Sequence, residues 1–188
     1  MLTLVKNKNQ NTAVDSFKKF KMRKIKLFFL VMFFLAKSSF AADFDDLELI
    51  GKTSINFLGF KLYDIELKGE KAEFSYNQKL VIKINYNKNF SKKELIDTSI
   101  DEICRINSLK KKEIKGLYKS RFEQLFVDVK KGDEKIAIYD PNFGLELYYN
   151  GQLTGKINDV VFAKRFIDIW LSDKARFKKV RTILVGEK

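Results

Sequence analysis

The chain has 188 residues, 37 Lys/Arg against 24 Asp/Glu for a formal net charge of +13, no histidine and one cysteine. Without histidine it lacks the usual general base near neutral pH and the commonest transition-metal ligand, and one cysteine excludes an intramolecular disulfide. Residues 1–41 hold nine of the basic side chains and a single acid, which leaves 28 basic against 23 acidic, a net +5, over the rest. There the two signs are interspersed, as on a soluble surface, and are not gathered into the stripe that a nucleic-acid binder presents.

Taken in order, residues 1–21 are polar, basic and weakly patterned. They fit either translation that really starts at Met22, with 1–21 a mis-assigned or disordered extension, or a long basic leader region. Residues 22–41 have the order of a secretory signal peptide. Arg23, Lys24 and Lys26 precede an apolar run over 27–36, and Ser39 and Ala41 are small enough for cleavage after Ala41. The run is about half of the ~20 residues that span a bilayer. These features predict export to the periplasm, a mature domain over 42–188 with no membrane span left after cleavage, and a monomer.

In the mature part, strands are expected near Leu47, over 54–58 after a break at Gly51 to Thr53, over 60–67 and over 80–86. The alternation places Leu62 on one face of the third strand, with Lys61 and Tyr63 on the other. The clearest strand puts Leu80, Ile82, Ile84 and Tyr86 on one side. The period then changes to that of a helix. Ser91 and Glu94 form a capping-box pattern, and Leu95, Ile96, Ser99, Ile100, Ile103 and Ile106 follow at helical spacing. The lysines at 110–112, with Lys115, read as a solvated connection. A second helix is expected within 114–129, with Leu117, Tyr118, Arg121, Phe122, Leu125, Phe126 and Val129 on its broad apolar face and an exit at Gly132. Strands over 135–139 and 145–149 flank a tight connection built on Pro141 and Gly144. Asn150-Gly151 is a strong hairpin signal that returns the chain over 152–157. Asn158 or Asp159 caps a long helix carrying Val160, Ala163, Phe166, Ile167 and Trp170, and a short helix follows over 178–186. Strands that need an apolar cover, and helices that supply one, make this an α+β fold: a curved, mainly antiparallel sheet with helices on one face. Leu62, Ile82, Ile84, Phe122, Phe126, Leu147, Phe166 and Trp170 are expected to meet in its core.

Chemistry-bearing motifs are few. Gly51-Lys52-Thr53 lacks the upstream glycine of a phosphate loop. The Asp97/Asp101 pair, one helical turn apart, reads as a solvent face, and a metal there would need further oxygen ligands. Cys104, between Ile103 and Ile106, reads as a small buried hydrophobe with no histidine to activate it. No metal or cofactor is expected.

The opening LIGKTSINFLGFKLYDIEL at 49–67, FEQLFVDVKKG at 122–132, YDPNFG at 139–144, Asn150-Gly151 followed by Gly155, FIDIWL at 166–171 and LVG at 184–186 together resemble bacterial chalcone isomerase-like proteins. The resemblance implies an open-faced sandwich with a cavity between sheet and helices. Plant members of that family close a flavonoid ring, and other relatives bind fatty acids without isomerase activity. The catalytic arginine of the plant enzymes would fall near residues 53–56, where this chain has none, and their threonine would fall on Leu58. Developing enolate charge would therefore lack a preorganised donor there. The resemblance and the residues together imply a non-catalytic binder of an apolar or fatty-acid-like small molecule, with Tyr63, Lys61 and Trp170 as candidate contacts. An isomerase-like enzyme and a structural domain of the cell envelope are the alternatives.

Overall fold

A computed structural model describes residues 46–187; the extension expected over 1–21 and the signal peptide expected over 22–41 fall outside the described residues. Six strands follow one another across a single antiparallel sheet: β1 (Glu48–Phe57), β2 (Phe60–Gly69), β3 (Leu80–Tyr86), β4 (Glu134–Asp140), β5 (Gly144–Tyr149) and β6 (Gln152–Ile157). Helices α1 (Lys92–Asn107) and α2 (Lys111–Leu125) lie between β3 and β4, and α3 (Val160–Leu171) and α4 (Lys178–Leu184) follow β6. The helices pack on one face, which gives the α+β open-faced sandwich expected from the order of the elements.

The two sheet faces differ in chemistry because side chains alternate along each strand. Ile55, Ile65, Leu67, Ile82, Ile84, Ala137 and Leu147 face the helices and join one apolar core. The opposite face carries cross-strand ion pairs, Lys52 with Glu66, Lys83 with Glu134 and Lys156 with Glu146, beside a small apolar cluster of Val81, Ile138 and Tyr148. Among the residues expected to meet, Ile82, Ile84, Phe122, Phe126, Leu147 and Phe166 are buried together, with Leu62 and Trp170 half-buried against them.

Local departures from the sequence reading have physical causes. Gly51 does not break a strand. It sits inside β1 at a register shift, where a Cβ would meet the backbone of α4 at the Ile183 and Leu184 carbonyls and lie 2.7 Å from the Leu184 Cα. The glycine is the space through which α4 closes on the first strand. The lysine run is only partly a connection. Lys110 is the N-cap of α2, Lys111 pairs with Asp101, and Lys115 lies 3.9 Å from Asp97. The α1 acids thus hold the basic start of α2. Helix α2 ends at Leu125, and Phe126 is already extended, so Phe126 and Val129 are buried from a loop and not from a helical face. Leu117 and Val160 are exposed. Ser91 and Glu94 form the capping box as read, and of the two cap candidates before α3 it is Asp159 that accepts from the Phe162 N–H, at 2.9 Å.

Candidate functional site

Between the sheet and the helices lies a cavity of about 450 Å³. Its floor is the inner face of β1 to β5. Its roof comes from α1, through Leu95, Thr98 and Ser99, and from α3, through Phe166, Ile169 and Trp170. Phe126, Phe90 and Phe177 close the sides. The lining is dominated by aliphatic and aromatic groups, which is the usual wall of a small-molecule site.

A bulge aims part of this wall. In the β1–β2 pair, Ile55 faces Tyr63 while Asn56 faces Lys61, so Leu62 is an extra residue on β2. The extra residue lets two successive side chains, Leu62 and Tyr63, line the cavity, whereas strict alternation would admit one. Trp170 Nε1 donates to the Tyr63 hydroxyl at 2.9 Å, tying β2 to α3 across the cavity. Burial pushes the Tyr63 phenol up to about 12, and Tyr86, tilted against it with ring centroids 5.9 Å apart, is raised as well by burial. Both are therefore neutral hydroxyls at physiological pH, able to donate but not to act as bases.

Tyr63 and Trp170 are thus brought together in the wall. Lys61 is not among the lining residues. It pairs with Asp64 at 2.6 Å, where Ser54 and Asn87 also bind. Within 53–56 only Ile55 lines the cavity, and Leu58 stands on an exposed turn. None of these positions offers a cation.

A cation does enter the cavity, from β4. Lys135 takes an inward position beside Ala137 and is only 3% exposed. Its Nζ has no hydrogen-bond partner, the sole such buried side-chain atom among the described residues, and it lies 4.0 Å from the centroid of the Phe126 ring. Burial, reinforced by the charge of Lys92, pushes this amine down from its ordinary 10.5 to about 7. A desolvated ammonium without a counter-ion is costly, and an anion delivered to it would remove that cost. One faint signal was visible in the sequence, a lysine at the start of an otherwise apolar strand, but the Ile136 and Ile138 beside it suggest the opposite inward face.

Four other charged side chains border the cavity, Glu94, Asp101, Glu102 and Arg176. Glu102 is buried and held by Arg105 at 2.7 Å and by Arg176 Nε at 2.6 Å, so its charge is already neutralised. Among the described residues no group of three or more His, Cys, Asp or Glu could hold a metal ion, and no helix is long and apolar enough to cross a membrane.

The comparisons with known proteins agree with this architecture. No curated protein sequence matches the chain. The crystal structure of a fatty-acid binding protein of Arabidopsis thaliana superimposes with a TM-score of 0.59 at 11% identity, covering 76% of this chain and 88% of that one, a likeness of fold. The chalcone isomerase-like family model matches residues 59–186, from the β1–β2 turn to just past the end of α4. With the open-faced sandwich, the cavity beneath its helices and a family match over most of its length, the chain belongs to the chalcone isomerase-like family.

Proposed function

We propose that this protein binds, and does not convert, an apolar molecule that carries a carboxylate, with the tail in the cavity and the head at Lys135. The observation that carries the reading is the buried Lys135 amine, which has no hydrogen-bond partner and opens on a mainly apolar cavity. Burying a tail supplies roughly 25 cal/mol per Å² of apolar surface, and one charged contact supplies orientation. Tyr63 and Trp170 contribute wall and, through the Tyr63 hydroxyl, a second polar contact. Catalysis of ring closure would need a donor cluster aimed at developing charge and a proton acceptor. The two tyrosines are neutral and the Glu102 carboxylate is engaged by two arginines, which favours binding alone. The fatty-acid binding protein of similar fold adds support for the ligand class.

Calorimetric titration with a fatty-acid series and the alcohols of matching length tests this reading. Saturable binding that prefers the acids is expected, together with no acceleration of flavonoid-precursor cyclisation over a protein-free control. Cyclisation well above the control would restore the enzyme, and no binding across the series would favour an envelope scaffold. We further propose that the protein works after export, as a monomer. Terminal sequencing of protein recovered from its own cells should then begin at Ala42, and a product that retains 27–36 would reject the export reading.

A further inference from the structure

The chain contains two tight turns of the same backbone geometry and opposite chemistry. The β5–β6 turn has Asn150 at φ 47° and Gly151 at φ 78°, the pair that such a left-handed two-residue turn favours. Its Asn150 side chain is tied down, accepting from the Glu134 N–H at 2.8 Å and donating to Asp133 at 3.0 Å. The β1–β2 turn has Leu58 at φ 48° and Gly59 at φ 78°. Here leucine occupies the position where asparagine is cheap. It meets the steric cost of positive φ and in addition leaves its side chain 80% exposed. Its neighbours Phe57 and Phe60, cross-strand partners at the strand ends, are 52% and 59% exposed. Three large apolar side chains therefore project from the tip of one hairpin.

We propose that this tip is a membrane-docking wedge, inserting Phe57, Leu58 and Phe60 into the surface of an anionic lipid bilayer. A two-residue turn is narrow and convex, a shape that enters a deformable lipid surface without needing a matching pocket. The charge around its base suits anionic headgroups. Lys88 Nζ sits 3.8 Å above the Phe60 ring and makes no ion pair among the described residues, so it can reach a lipid phosphate while its stem covers the aromatic. Lys61, on the adjoining residue, is 45% exposed but paired with Asp64 at 2.6 Å, so Lys88 is the amine left for the headgroups. The tip is also continuous with the cavity, because Phe57 belongs to both. Docking in this orientation would set the cavity wall against the acyl region, where an apolar ligand resides.

The test is sedimentation with vesicles, using residues 42–188, since the described residues 46–187 hold the sheet, the helices and the core, and the apolar run at 27–36 would itself bind lipid. Vesicles of phosphatidylcholine with phosphatidylglycerol, free of fatty acid, are compared with phosphatidylcholine alone. The key variant is Leu58→Asn, which copies the β5–β6 turn and should melt at or above the wild-type temperature. Wild-type protein is expected to bind the anionic vesicles, more weakly at high salt, and Leu58→Asn to lose at least tenfold in partitioning. Wild-type protein that stays in the supernatant, or a variant that binds equally well, overturns the proposal. So does a concentration-dependent dimer that Leu58→Asn abolishes without any vesicle binding, since the wedge would then seat on a second copy. The readout contains no cavity ligand, so it stands or falls separately from the assignment of Lys135.

Discussion

Phe122→Ala should cost about 3–5 kcal/mol of unfolding free energy, enough to threaten a domain whose total stability is typically about 5–15 kcal/mol. Phe122 is fully buried on α2, and its ring meets those of Phe162 at 5.2 Å, Phe126 at 5.6 Å and Phe166 at 6.2 Å. It joins α2 both to α3 and to the loop after α2. It does not line the cavity, so its truncation measures packing and not ligand space. The surrounding rings cannot collapse on the void without moving two helices, which places the expected loss in the upper part of the range for large-to-small changes. Urea denaturation followed by far-ultraviolet circular dichroism measures it. A loss below about 1 kcal/mol would mean that α2 does not pack on α3 through this ring.

Elements whose period is long and whose ends carry caps were legible in the sequence. The Ser91/Glu94 box, the Asn150-Gly151 turn and the alternation of Leu80, Ile82, Ile84 and Tyr86 each follow from local physics, and each lies where the pattern placed it. Two features turned on tertiary neighbours and were not. Gly51 looks like a strand breaker until the backbone of α4 arrives against it, and Phe126 looks like a helical residue until α2 ends one position earlier.

The site was legible in part for the same reason. Tyr63 and Trp170 follow from strand and helix faces, but that they touch each other follows only from how α3 crosses β2. The bulge at Leu62 reverses the relation that strict alternation gives, so Leu62 and Tyr63 share the cavity while Lys61 turns to Asp64. Lys135 was hidden most thoroughly. In its strand Ile136 and Ile138 look like the inward pair, and register with β3 and β5 puts Lys135, Ala137 and Tyr139 inward instead. Period alone cannot choose between two faces when both carry apolar residues, and here the outer face has its own cluster around Ile138.

Lys135→Met should separate the cost of the buried amine from its use. In the folded protein the amine titrates near 7, and in the unfolded chain near 10.5. Between these values the unfolded state binds more protons, so wild-type stability should rise with pH from about 7 upward; below 7 both states are charged and the penalty is complete. The full linkage has a ceiling of about 5 kcal/mol, and relaxation around the amine makes a few kcal/mol the working expectation. Glu94, held low by its cap, titrates beneath this window, while Cys104 and Tyr63, raised by burial, titrate above about pH 9 with the opposite sign. The variant should therefore be more stable than wild type at pH 6, and its own stability should stay nearly constant from pH 7 to 9 while that of wild type rises toward it. Ligand binding should move the other way. A carboxylate needs the ammonium, so wild-type affinity for decanoate should weaken about tenfold per pH unit above 7, until the amine titrates in the complex. At pH 6 Lys135→Met should lose about tenfold to a hundredfold for decanoate, the range for a hydrogen bond to a charged group, while decanol binds no worse. Denaturation and calorimetry at pH 6, 7, 8 and 9 read both effects on the same two proteins. A variant that is stabilised yet binds decanoate like wild type would retain the buried-amine energetics and remove Lys135 from the ligand site.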